Sequence, residues 1–209
     1  MISARSIYLS YPGLSLAKPA TSDAELAVKC RKGDTEAFEI LYKKYSKSLF
    51  NYIYKMVGDH DRARDLYQDT FMRVLTAKNY QPLAKFSTWL YRIATNLCLN
   101  DLKRKKPVSL DAKLKIGSGF EARATSPEDY AYSQELSQKI EAAIAGLTDI
   151  QRAVFTLRHY QGLSYQEIAR VLRCPLGTVK SRLSSAVNAL RKALSQELKE
   201  VSTHEMQED

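Results

Sequence analysis

The sequence predicts an all-α protein: two small helical domains joined by a flexible linker. Two observations carry that prediction. Apolar residues recur at steps of three and four along almost the whole chain, and no alternating run reaches convincing strand length. With only 8 Gly and 6 Pro in 209 residues, long helices are allowed and a turn-rich β-protein is disfavoured.

The elements follow in order. Residues 1–22 read as a disordered N-terminal extension, with no continuous apolar stretch of signal-peptide length. Asp23 is placed to cap a first helix. A second helix starts after Gly33-Asp34. Ala37, Phe38, Leu41, Tyr45 and Leu49 give it an apolar stripe, and it stops at Gly58. A third runs from Asp61 to about Thr76, with Ala63, Leu66, Thr70, Phe71 and Val74 inward and Asp65, Gln68, Asp69 and Arg73 outward. Asn79, Tyr80 and Pro82 mark a loop. Ser87 then caps a long helix to about Lys105, with Leu90, Ile93, Ala94 and Leu97 inward and Thr88, Arg92, Asn96, Asn100 and Lys103 on a polar stripe. Residues 23–106 form the first domain.

Residues 107–133 read as the linker, from Pro107, Gly117-Ser118-Gly119, Pro127 and sparse apolar content. The second domain spans 134–199, and 200–209 is an acidic tail.

Composition narrows the partners. The formal net charge is +9, and both 23–106 and 134–199 carry an excess of Lys and Arg. A basic balance favours nucleic acid or an anionic membrane surface. No apolar run reaches 18 residues, so no membrane insertion is expected. Cys30, Cys98 and Cys174 are scattered and unpaired in spacing, which fits a reducing, cytoplasmic location. His60, His159 and His204 are too dispersed for a catalytic triad or a zinc site, and no Gly-rich phosphate loop is present. The expectation is therefore no enzyme, no cofactor and no metal.

The strongest local signal lies between Thr148 and Leu194. Thr148-Asp-Ile-Gln151 and Ser164-Tyr-Gln-Glu167 have capping-box form. Arg173-Cys174-Pro175-Leu176-Gly177 reads as a turn. Thr178 is placed to cap the next helix, which turns Val179, Leu183, Val187 and Leu190 inward. Two short helices across a tight turn, the second opening with Lys180, Ser181 and Arg182, describe a helix-turn-helix. A helix of this width fits the major groove with its first turn at the base edges.

Three longer motifs make the resemblance specific. Asp61-Arg-Ala-Arg-Asp-Leu-Tyr-Gln-Asp-Thr-Phe-Met-Arg-Val74 resembles the second region of sigma factors, written D-A-E-D-L-x-Q-E-x-F-x-R-V. Phe86-Ser-Thr-Trp-Leu-Tyr-Arg-Ile-Ala-Thr-Asn96 resembles the F-x-x-W-L-x-x-I-A-x-N stretch that follows it. Gly162-Leu-Ser-Tyr-Gln-Glu-Ile-Ala and Gly177-Thr-Val-Lys-Ser-Arg182 resemble the fourth region. Lacking the extra domains of larger sigma factors, the chain is identified as similar to the extracytoplasmic-function (ECF) group of the sigma-70 family.

The resemblance implies a promoter-recognition subunit. It would dock on core RNA polymerase at the β′ clamp helices and the β flap, and bind promoter DNA. An anti-sigma factor is an implied further partner. Asp65, Gln68, Asp69, Phe71 and Leu75 are the implied core-binding residues. Trp89, Arg92, Asn96, Lys103 and Arg104 are implied for the −10 element, with the basic run 103–106 tracking backbone. Trp89 reads either as a stacking platform or as a packing residue. Thr178, Lys180, Ser181 and Arg182 are implied for the −35 element.

Two departures stand out. Arg64 replaces a usual acidic residue, and Ser184-Ser-Ala-Val-Asn188 replaces a more basic stretch. The competing reading is a stand-alone helix-turn-helix regulator. It would need a receiver-like first half with alternating strands and an acidic pocket, which the sequence lacks.

Overall fold

The computed structural model describes residues 21–77, 85–104 and 127–205. Eight helices follow one another in these residues: α1 (Asp23–Arg31), α2 (Thr35–Val57), α3 (His60–Thr76), α4 (Phe86–Arg104), α5 (Pro127–Ala145), α6 (Asp149–His159), α7 (Tyr165–Leu172) and α8 (Leu176–Glu205). No strand occurs among the described residues. The expected disorder of 1–22 falls, up to residue 20, outside the described residues. So do the whole loop at Asn79–Pro82 and the expected linker up to residue 126.

α1 starts on a reciprocal capping box. Ser22 Oγ accepts from the Glu25 amide at 3.3 Å, and Glu25 Oε2 accepts from the Ser22 amide at 3.0 Å. Asp23 is therefore not the cap that the sequence predicts. Its carboxylate instead takes Lys44 Nζ at 2.7 Å and the Tyr45 hydroxyl at 2.5 Å, tying α1 to α2. α2 starts on Asp34, whose Oδ1 accepts from the Ala37 amide at 3.0 Å. It ends at Gly58 with φ of 70°, a left-handed conformation that glycine adopts without strain. One residue later Asp59 caps α3 through the Arg62 amide at 2.8 Å.

α2, α3 and α4 pack as a bundle. Leu41, Leu49, Tyr52, Ile53 and Met56 of α2 are buried against Ala63, Leu66 and Val74 of α3 and Leu90, Ala94 and Cys98 of α4. Full burial of each large side chain stabilises by about 1.5–3 kcal/mol. The Tyr52 hydroxyl meets Thr95 Oγ1 at 2.7 Å inside this core, so the phenol brings its polar tip a partner. Arg62 binds Asp101 through both Nε and Nη2, joining α3 to the end of α4. Thr88 departs from the predicted polar stripe of α4: it is 3% exposed. The core surrounds the first turn of α4 on two sides because Phe86 and Leu90 flank Thr88 at i−2 and i+2, and both are buried.

In the second half, α5 begins at Pro127, inside the predicted linker; proline suits a first helical turn. α8 likewise runs to Glu205, into the predicted tail. α6 and α7 both start on the predicted capping boxes, at Thr148 and Ser164. The turn after α7 is tighter than predicted. Arg173 takes the left-handed conformation with φ of 50°, and Pro175 supplies its carbonyl to the Thr178 and Val179 amides at 3.0 and 3.2 Å. The helix thus opens at Leu176, and Thr178 lies in its first turn rather than capping it.

The two halves touch. One apolar cluster runs from Leu26 and Leu49 through Leu90 and Cys98 to Ala153, Leu157, Ile168 and Leu183. α7 lies on α4, and α6 on α2.

Candidate polymerase and promoter interfaces

Three exposed faces carry the residues singled out in the sequence. The first is the outer face of α3. Asp65, Gln68 and Asp69 are all exposed, and Leu75 is 38% exposed beside them. Phe71 is different. Only 6% of it is exposed, and its ring sits edge-on to Phe38 at 5.9 Å and near Tyr42 at 5.0 Å and Tyr67 at 5.1 Å. Phe71 therefore holds α3 on α2 and offers no free surface to a partner. Met72, 57% exposed, is the second exposed apolar residue of that face, beside Leu75. Sequence reasoning missed it, although Asp65, Gln68, Asp69 and Met72 stand at i, i+3, i+4 and i+7. A strip of carboxylates beside two apolar side chains can accept hydrogen bonds from cations and cover apolar surface together. Arg64 pairs with Asp61 at 3.1 Å on an exposed rim, which leaves Asp65 and Asp69 turned outward.

The second face belongs to α4. Asn96, Lys103 and Arg104 are exposed, and Arg92 and Trp89 are half-buried. Trp89 packs 5.8 Å from the Phe86 ring and against the main apolar cluster. Packing is thus a property of Trp89 in this structure, with part of its surface still open to solvent. Thr95 donates to the Tyr91 carbonyl at 2.6 Å and meets Tyr52, so the inner side of α4 is locked to α2. That lock presents Asn96 outward. Asn96 and Arg92 share a face one turn apart, and Lys103 and Arg104 follow toward the C-terminus, where cations also complement the helix dipole. An amide able to donate and accept, followed by cations, suits a base edge and its phosphates.

The third face is the start of α8. Lys180 and Ser181 are exposed and Thr178 and Arg182 half-buried. The Ser181 hydroxyl donates back to the Thr178 carbonyl at 3.1 Å, leaving its lone pairs free to accept. Val179 and Leu183 anchor the opposite side at 0% and 8% exposure. The preceding helix is held by its capping box, with the Ser164 amide donating to Glu167 Oε2 at 2.8 Å. Burial pushes the Glu167 carboxyl up, but the Ser164 backbone amide, Lys85 and the Ser164 hydroxyl outweigh it and hold it below its ordinary value. Exposed Arg173, at the left-handed turn, adds a cation beside this surface that the motif reading left out.

The comparisons match this layout. The Sigma-70 region 2 family model matches residues 41–108, and the Sigma-70 region 4 model matches 137–190. The ECF RNA polymerase sigma factor SigW of Bacillus subtilis is 38% identical over 172 residues, covering 78% of this chain and 92% of that one. The chain belongs to the ECF sigma factors of the sigma-70 family. The RNA polymerase sigma-H factor of Pseudomonas aeruginosa is 34% identical over 186 residues, covering 85% of this sigma factor and 96% of its own length. Two solved structures share the fold at 22% identity. One is CnrH in complex with the cytosolic domain of CnrY, with a TM-score of 0.63 over 83% of this chain and 97% of that one. The other is the sigma factor RpoE in complex with the anti-sigma factor NepR from Bartonella quintana, with a TM-score of 0.59 over 76% and 96%.

The region 2 match fills the half in which a stand-alone regulator would need a receiver, so that competing reading falls away. Among the described residues, no helix is long and apolar enough to cross a membrane. Cys30 and Cys98 are free and buried, and burial pushes the Cys98 thiol up to about 12. A thiol held so firmly protonated is a packing group, not a nucleophile.

Proposed function

We propose that this sigma factor docks the outer face of α3 on core RNA polymerase, reads a −35 duplex with the start of α8, and traps the unpaired −10 strand on α4. The observation that carries the proposal is the match of both regions, in order, onto three separate exposed faces of suitable chemistry. Asp65, Gln68, Asp69, Met72 and Leu75 would meet the β′ clamp helices, and the fourth region the β flap. Asn96 would read a flipped base, with Arg92, Lys103 and Arg104 on the phosphates and Trp89 flanking the pocket. Lys180 and Arg182 would reach base edges and backbone in the major groove, and Ser181 would accept from a base amino group.

The protein would work in the cytoplasm, where the polymerase is, and make or break no bond with its own side chains. An anti-sigma factor would be a further partner, as NepR is of RpoE from Bartonella quintana. Docking and promoter binding separate in one experiment. Gel filtration with bacterial core polymerase should give a stable complex, weakened by Asp69→Lys and unchanged by Asn96→Ala. That complex should retain promoter fragments that core alone releases. A protein that never co-elutes with core would refute the proposal.

A further inference from the structure

Most of what the first turns of α8 present outward is short. Gly177, Ser181, Ser184 and Ser185 are exposed and share the side opposite the buried Val179, Leu183, Ala186 and Leu190. No atom stands within 4 Å of the place a Gly177 Cβ would take. A surface approaching this side comes close to the helix backbone, with few long side chains to hold it off. The serines at 184 and 185 stand where the family pattern is more basic, so charge alone does less here.

One large apolar side chain leads this face. Leu176, the first residue of α8, is 39% exposed. It lines up with Lys180 and Ser184 at steps of four. The contacts proposed above do not use it. A single exposed leucine is ordinary on a protein surface, but this one is set apart by its company. Exposed Arg173 stands in the turn before it, exposed Lys180 one turn after it, and half-buried Arg182 beyond. Cations on every side favour a polyanion as the occupant over an apolar protein surface. Its position is also fixed. The Pro175 carbonyl, immediately before Leu176, accepts from the Thr178 and Val179 amides at 3.0 and 3.2 Å. The Cys174 amide donates to the Ala169 carbonyl at 3.1 Å, which ties the turn to α7. Val179, 0% exposed, sets the rotation of the helix.

A duplex offers an apolar group at its major-groove base edges in one form, the C5 methyl of thymine. The first residues of a recognition helix are the ones that reach those edges. We propose that Leu176 is a specificity residue for the −35 duplex: it packs on the C5 methyl of one thymine and selects T·A at that step without charge or hydrogen bond. The inference rests on the reading of α8 as the duplex reader and deepens it. Lys180 supplies attraction that any sequence satisfies, whereas Leu176 supplies a preference that salt does not screen. Burying one methyl group is worth about fourfold in affinity.

The test is binding of promoter duplexes by the holoenzyme formed from the full chain and core polymerase. The duplex carries a promoter that this holoenzyme transcribes, with each thymine of its −35 element replaced in turn by deoxyuridine, which lacks only the methyl. On the unaltered protein, one replacement should weaken binding about fourfold. Leu176→Ala should weaken binding to the thymine duplex by a similar factor and bind the thymine and deoxyuridine duplexes equally, with a thermal melt to check that it stays folded. Its slope of log affinity against log salt should match the unaltered protein, while Lys180→Ala lowers that slope by about one. The inference is overturned if no thymine is sensitive, if the sensitivity survives in folded Leu176→Ala, or if that variant loses core polymerase rather than DNA. A −35 element that can be scrambled without effect, with Arg182→Ala equally silent, would instead refute α8 as the duplex reader, and the role of Leu176 with it.

Discussion

Arg182 and Lys180 lie two residues apart at the start of α8 and are expected to play different parts. Arg182 is half-buried at the recognition-helix start, where a guanidinium can pair two acceptors of one guanine. Arg182→Ala should cost about 1–3 kcal/mol of binding to the preferred −35 duplex and relax the preference at one base pair. Lys180→Ala should weaken all duplexes alike and lower the salt slope by about one. Binding titrations at several salt concentrations separate the two. Phe71 and Met72 form a second neighbouring pair with opposite fates. Phe71→Ala removes a ring packed among Phe38, Tyr42 and Tyr67 and should cost about 3–5 kcal/mol of stability in chemical denaturation. Met72→Ala should leave stability within about 0.5 kcal/mol and weaken association with core polymerase. The helical period placed Phe71 on the inner face of α3. Its assignment to the outer interface came from the family motif alone, and the structure resolves that conflict in favour of the period.

At the scale of elements, caps decide where helices begin. Ser164→Ala should destabilise the protein by about 1 kcal/mol, because it orphans the Glu167 amide at the start of α7. Thr178→Ala should cost less, since the first turn of α8 hangs on the Pro175 carbonyl. Glu167 adds a pH dependence. Its folded carboxyl is held below its ordinary value, so its contribution is complete above the unfolded value, about 4.3, and is lost as pH falls through the folded one. The stability difference between the unaltered protein and Glu167→Gln should therefore be present at pH 7 and close on acidification. Denaturation curves at a series of pH values check this. Two caps, at Thr148 and Ser164, were legible from their capping-box form. The expected caps Asp23, Ser87 and Thr178 instead lie inside the first turns of α1, α4 and α8. Ser22 outcompetes Asp23 because Glu25 can return its hydrogen bond, while Asp23 finds Lys44 and Tyr45 on another helix. A one-dimensional pattern does not contain that partner.

At the scale of the whole molecule, the all-α fold, the order of its helices and the two family regions were readable from periodicity and motifs. The contact between the halves was not. It is made by Arg152, Lys55, Glu141, Gln161 and Lys85, each of which fits a solvated surface position when seen alone. Their meeting depends on long-range packing of α7 on α4 and α6 on α2, to which no local signal points.

The central claim is that this chain confers promoter specificity on RNA polymerase. The most direct measurement is in vitro transcription from a library of genomic fragments, with the core enzyme of its own host, with and without the protein. The account predicts new, discrete start sites that require the protein, share −35 and −10 sequences, and fade with Asn96→Ala or Arg182→Ala. An unchanged set of transcripts would contradict it.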